Sequence, residues 1–290
     1  MIAAVGKRYN LGAEKIRNWL AQDPGRGEGK VFISAIFTWD LPEVAQQANI
    51  YKQDYQVEIG GPAPSMMPEW VYDQTGIRPQ IGPDERFDQQ PGQYEYTFTS
   101  RGCPRKCEYC AVPRIEPVRV EYDDFPIAPV IGDNNLVATS WEHQELVVNK
   151  LVNFGHEIDI QSGFDVQLFQ ERHFHLYNRL RLKTWRFAFD RPDQEPDLTR
   201  CIQMVKELGG ITNRHKVTVY VLVNNGETPD EARRRTRVVY DLGALPFVMI
   251  FRPLDERSLV NRRWVSPGWT RQQLRDFAGG INNSRYWRRG

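Results

Sequence analysis

The chain has 290 residues, 40% of them hydrophobic, and a formal net charge of +1. That size allows one large α/β domain or two smaller ones with a substantial core, and the near-zero charge gives no overall signal for a polyanionic partner. Charged residues from Lys7 to Arg17 interrupt the start, and no apolar run approaches the ~20 residues of a spanning helix, so the expectation is a cytoplasmic chain without a secretory leader or membrane partner.

In chain order, Leu11–Ala21 has the spacing of an amphipathic helix, Val31–Phe37 of a buried strand, Pro42–Ile50 of a helix and Tyr55–Gly60 of a second strand. Residues 1–92 thus read as a small βα layer that ends in a proline- and glycine-rich linker, Thr75–Gly92. Residues 93–290 read as a second, larger domain.

The first strand of that domain, Tyr94–Thr99, runs directly into Thr99-Ser-Arg-Gly-Cys-Pro-Arg-Lys-Cys-Glu-Tyr-Cys-Ala-Val-Pro113. Cys103, Cys107 and Cys110 have the spacing CxxxCxxC. Three thiolates on one tight loop suit three irons of a cubic cluster and leave the fourth iron open to another ligand. A structural zinc site needs four ligands, usually as two pairs. Here the nearest histidine, His143, lies 33 residues beyond Cys110. Ferredoxins carry a CxxCxxC run with a further Cys-Pro, a different spacing. Four cysteines in a chain of this length do not make a disulfide framework. The remaining one, Cys201, falls in mid-helix and reads as a small buried hydrophobe.

Beyond the loop, strand-like runs alternate with amphipathic ones, the pattern of parallel α/β structure. The strands are Ala128–Gly132, Glu157–Gln161, Thr184–Asp190, Val217–Val223 and Phe247–Phe251. The helices are Trp141–Asn153, Phe164–Leu182, Asp197–Leu208 and Pro229–Leu242. Periodicity alone leaves either a barrel or a flavodoxin-like sheet. The stretch Arg252–Arg289 is arginine-rich with Trp264, Trp269, Tyr286 and Trp287 interleaved. Such a stretch binds single-stranded nucleic acid or forms a solvated face whose tryptophans close the fold; the second reading is favoured.

The cysteine loop resembles the signature of the radical S-adenosylmethionine (SAM) superfamily, CxxxCxφC with φ usually aromatic, here Tyr109. The resemblance implies a partial (β/α)6 TIM-type barrel and a [4Fe–4S] cluster on Cys103, Cys107 and Cys110. It also implies cleavage of SAM to a 5′-deoxyadenosyl radical that takes hydrogen from a substrate, and an electron donor such as flavodoxin or ferredoxin. Val57-Glu-Ile-Gly-Gly-Pro-Ala-Pro-Ser65 resembles the subgroup with an N-terminal Rossmann-like cobalamin-binding domain. That domain is shortened here and lacks the histidine of the DxHxxG motif, so cobalamin is not expected to bind.

Residue by residue, the resemblance places Tyr109 against the adenine. It puts Asp133, Asn134 and Asn135, in place of the usual Gly-Gly-Glu segment, near the SAM amino group. Gln161, Asp190, Asn225 and Glu227 fall at strand ends where the family binds SAM or substrate. Each has a plainer alternative. Asn and Asp form turns, Asp165 after Gln161 suits a cap for the next helix, Asp190 suits an ion pair with Arg186, and Glu227 stands beside a helix start. Arg252 meets either an anionic group or Asp255 or Glu256. Two further classes stay open: a radical enzyme acting on nucleotides or nucleic acid, and a non-catalytic iron–sulfur protein.

Overall fold

The computed structural model describes residues 2–4, 29–84, 96–260 and 263–283. The expected helix Leu11–Ala21, the linker end 85–92, and Tyr94, Tyr286, Trp287 and Arg289 lie outside these residues. The protein is mixed α/β with parallel sheets. It divides into two compact units. One comprises Met1–Gln93, Arg105–Pro117 and Arg252–Trp264; the other comprises Tyr94–Pro104, Val118–Phe251 and Val265–Gly290. Two segments that the sequence assigns to the second domain therefore group with the first. The cysteine loop is shared, Cys103 belonging to the second unit and Cys107 and Cys110 to the first. Among the described residues, no helix is long and apolar enough to cross a membrane.

In the first unit, β1 (Ile2–Ala4), β2 (Lys30–Ser34) and β3 (Gln56–Gly60) form a parallel sheet in that order. Alternation places Val31, Ile33, Val57 and Ile59 in a core with Leu41, Val44 and Ala48 of α1 (Leu41–Tyr51). The strand expected to reach Phe37 stops at Ser34, and a 3-10 turn at Thr38–Asp40 leads into α1. Two helices occupy a stretch that the sequence reading left without one: α2 (Pro62–Met66) and α3 (Pro68–Thr75). Each opens on proline, whose fixed φ and missing N–H suit a first turn. Before them stands Gly61, at φ +94°, where a Cβ would lie 2.5 Å from Ser34 Oγ and 2.9 Å from the Ala35 carbonyl oxygen. The glycine is needed by the chain's own packing at the ends of β2 and β3. A short helix, α4 (Val112–Ile115), also belongs to this unit.

In the second unit, β4 (Tyr96–Thr97), β7 (Val130–Ile131), β8 (Glu157–Ile160) and β9 (Arg181–Leu182) form one parallel sheet. A second consists of β10 (Trp185–Ala188), β11 (Val217–Val223) and β12 (Leu245–Ile250). An isolated parallel bridge links Phe164, in the loop after β8, to Phe187 of β10, and within each sheet strand order follows chain order. Between β4 and β7, the chain leaves the sheet to form a small antiparallel ribbon of β5 (Ser100–Arg101) and β6 (Val120–Glu121). The strict alternation of buried and half-buried residues along β11 shows which face meets the helices. Val217, Val219, Val221 and Val223 are fully buried, with Phe187, Ile158 and Ile160 from neighbouring strands. Each such side chain contributes roughly 1.5–3 kcal/mol.

The covering helices are α5 (Trp141–Phe154), α6 (Glu171–Tyr177), α7 (Glu195–Gly209), α8 (Pro229–Asp241) and α10 (Arg271–Asn282). In the first unit, α9 spans Glu256–Val260. The helix expected over Phe164–Leu182 is shorter. Phe164–Gln170 is instead buried loop, because Phe164 pairs with β10 and packs its ring at about 5 Å from those of Phe169 and Tyr177. The start of α8 is fixed by a reciprocal Thr228–Glu231 capping box, and α10 has the same device in Thr270 and Gln273.

Candidate metal centre

Cys103 follows β4 and β5, and its approach is rigidly held. Asp133, just past β7, is fully buried and accepts three hydrogen bonds from the residues preceding the loop. Thr99 N–H donates at 2.5 Å, Thr99 Oγ1 at 2.5 Å and Ser100 Oγ at 2.8 Å. Since the Thr99 hydroxyl proton goes to Asp133, its oxygen accepts from His143 Nε2, 3.2 Å away. That places a proton on Nε2, and burial holds the His143 pKa below its ordinary value. Burial likewise raises the Asp133 pKa, against the pull of the Thr99 and Ser100 hydrogen bonds. Asp133, expected near the SAM amino group, has its carboxylate turned to the strand end before the loop. With no exposed surface and both oxygens engaged, it anchors the strand that leads into the loop.

Gly102 supplies the turn into Cys103. Its φ is +77°, and a Cβ would lie 2.5 Å from the Val118 carbonyl oxygen and 3.0 Å from Arg119 Cα. Only glycine allows the loop to pass this close to the strand returning as β6.

Asn135 is the second element of the centre. It is buried, and its Nδ2 lies 3.7 Å from Cys103 Sγ, within reach for a large sulfur acceptor, and 3.0 Å from Asp165 Oδ2. Both neighbours are acceptors, so the amide NH2 must face them. Its Oδ1 is then left buried without a hydrogen-bond partner. Asp165 holds its place through Oδ1, which accepts from Gln167 N–H at 3.0 Å. Three strand ends (after β4 and β5, after β7, and after β8) therefore bring Cys103, Asn135 and Asp165 together.

Cys107 and Cys110 close a turn of their own, with Cys110 N–H donating to the Cys107 carbonyl at 3.1 Å. None of the three loop cysteines forms a disulfide, and all three are half-buried, as is Tyr109. Among the described residues, no three His, Cys, Asp or Glu side chains are already gathered around one metal position. Thiolates repel one another, and metal binding supplies the free energy that gathers them. The donor set, the glycine turn and the amide at Cys103 Sγ fit a thiolate-bound iron–sulfur cluster.

Other expected site residues are distributed unevenly. Asn134 is half-buried beside Asn135, and Gln161 is exposed at the end of β8. Asp190 is half-buried; its N–H donates to Gln194 Oε1 at 2.8 Å. Arg186 does not pair with Asp190. It makes a two-pronged ion pair with Asp159 of β8, the second contact at 3.3 Å, with only 11% and 15% of the two side chains exposed. Glu227 accepts from the N–H groups of Asn224 and Asn225 at 2.6 and 2.9 Å, so its carboxylate shapes the turn after β11. This corrects the expectation for Glu227, while Asn225 itself is exposed. Asn224, the one described non-glycine residue with positive φ, ties that turn to the Phe251 carbonyl and the Ser266 N–H.

Among the described residues of the arginine-rich stretch, several groups are engaged within the fold. Trp269 is buried and donates to the Glu227 carbonyl, Arg252 donates to the Trp264 carbonyl, and Arg257, not Arg252, pairs with Asp255. Cys201 is fully buried, and burial pushes its thiol up to about 12.

Sequence reading missed Thr99, Ser100 and His143 as a network. It also missed Asp159, although the alternation Glu-Ile-Asp-Ile sets that residue on the face opposite Ile158 and Ile160. No family model matches the chain, and no curated protein matches it.

Proposed function

We propose that the chain is a radical SAM enzyme in which Cys103, Cys107 and Cys110 hold a [4Fe–4S] cluster. The observation that supports this most is the convergence of Cys103, Asn135 and Asp165 from three successive strand ends. In parallel barrels, reactive groups collect at the carboxyl ends of the strands. Strand order that follows chain order also favours a singly wound partial (β/α)6 barrel over a doubly wound sheet, whose order reverses at a switch point.

When bound, the cluster and SAM would supply reductive cleavage to methionine and a 5′-deoxyadenosyl radical that takes hydrogen from a substrate; flavodoxin or ferredoxin would deliver the electron. The chain's residues orient and enclose. Asn135 Oδ1, buried and unpartnered, is an acceptor suited to an ammonium group. Asn134 and Gln161 offer further amides at adjacent strand ends, Tyr109 a ring for the adenine, and Asp190 a carboxylate for ribose or substrate. Cobalamin is not part of this reading, because the shortened N-terminal layer lacks the histidine of the DxHxxG motif.

The test is anaerobic. Chain loaded with iron and sulfide, given dithionite and SAM, should form 5′-deoxyadenosine slowly even without substrate. A fully loaded chain that leaves SAM intact would remove the enzyme reading.

A further inference from the structure

We infer that Asn135 is a positioning residue for Cys103, whose amide N–H raises the reduction potential of the cluster that this thiolate helps to hold. The inference rests on the reading of the loop as a cluster site. It is carried by the geometry at Asn135, whose Nδ2 stands 3.7 Å from Cys103 Sγ and 3.0 Å from Asp165 Oδ2.

A primary amide has two N–H bonds, and here the two acceptors take one each. Asp165 is fixed in turn by Gln167 N–H, so the amide cannot swing away from the sulfur without losing a charge-assisted hydrogen bond. Rotating the amide by half a turn would set its oxygen against a carboxylate and a thiolate, which burial makes costly. The donor aimed at Cys103 is therefore locked in place by the site's own anions.

Adding an electron to a thiolate-bound cluster makes the sulfurs more negative. A fixed N–H dipole directed at one of them stabilises the reduced form more than the oxidised form. Hydrogen bonds to the sulfurs and burial are among the means by which proteins set cluster potentials. Asn135 supplies the first, donating to Cys103 from a buried position that shields the hydrogen bond from water.

The variants Asn135→Leu, of similar size without a donor, and Asn135→Ser, too short to reach, test this against the wild-type chain. After anaerobic loading, iron and sulfide are counted, and the midpoint potential is then read by redox titration followed by electron paramagnetic resonance. Both variants should load, and their potentials should fall by a tenfold change in the one-electron equilibrium, about 59 mV. Loaded variants whose potentials match the wild type within a twofold change would overturn the inference and leave the cluster reading intact. A wild-type chain that takes up no iron–sulfur cluster would overturn both. A variant that loads poorly is replaced by the other, since either one, once loaded, decides the outcome.

Discussion

Gly102→Ala offers a quantitative test of how the loop is built. The substitution carries two costs. Holding alanine at φ +77° costs about 1–2 kcal/mol. The added Cβ would also stand 2.5 Å from the Val118 carbonyl oxygen and 3.0 Å from Arg119 Cα, both backbone atoms that cannot rotate aside. Relief requires β5 and β6 to part, which loosens the pairs Ser100–Glu121 and Arg101–Val120. Overpacking of this kind adds about 1–3 kcal/mol. The total of roughly 2–5 kcal/mol should lower Tm by about 4–20 °C, at about 2–4 °C per kcal/mol for a chain of this order of size. Gly210→Ala is the matched control: φ is +60° and nothing stands within 4 Å, so only the backbone cost applies. Thermal denaturation followed by circular dichroism should therefore show a clearly larger loss for Gly102→Ala, accompanied by weaker iron loading at the adjacent Cys103. Equal losses in the two variants would refute the close approach of the loop to β6.

Arg186→Leu should destabilise the chain by about 1–3 kcal/mol in denaturant titration, because it leaves the half-buried Asp159 carboxylate with only the Lys183 ammonium, 3.6 Å away. Adding Asp159→Leu should recover most of that loss, and a double variant as unstable as the single one would contradict the pairing. His173 concerns acid stability. Burial holds its pKa down at about 4, against an ordinary 6.5, with the Arg172 charge acting in the same direction. Its Nδ1 accepts from Gln170 N–H at 2.9 Å. Between pH 6.5 and about 4, the unfolded chain binds the proton and the folded chain does not, so stability falls as pH is lowered through that window. His173→Gln should flatten that limb of the stability–pH curve, and an unchanged limb would refute the assignment.

The strand pattern from Ala128 to Phe251 was legible because core strands of parallel α/β units carry alternation that few other structures produce. The segment Phe164–Gln170 misled because Phe164 and Leu168 are four apart, as on a helix face, whereas Phe164 packs its ring against those of Tyr177 and Trp185 from a loop. The helices α2 and α3 were hidden by the prolines that open them. By contrast, α10 had a readable signal in Thr270 and Gln273, masked by attention to the arginines. At the site, cysteine spacing is local and therefore visible. The roles of Asp133 and Asn135, two positions apart on one strand end, were not separable by sequence. One side chain turns inward to Thr99 and Ser100 while the other turns toward Cys103 and Asp165, and that choice depends on partners 30 or more residues away. The partner that sequence offered as an alternative for Arg186, Asp190, lies on its own strand, whereas the observed partner Asp159 comes from β8.

The central claim is that Cys103, Cys107 and Cys110 together hold a four-iron cluster. Anaerobic reconstitution, with iron, sulfide and zinc counted per chain and the visible and paramagnetic spectra recorded, tests it directly. About four irons and four sulfides should bind, and each of Cys103→Ala, Cys107→Ala and Cys110→Ala should abolish that loading. Cys201→Ala, which removes a thiol sealed in the core, should leave it unchanged. One zinc per chain without sulfide, or a cluster that survives loss of Cys103, would contradict the account.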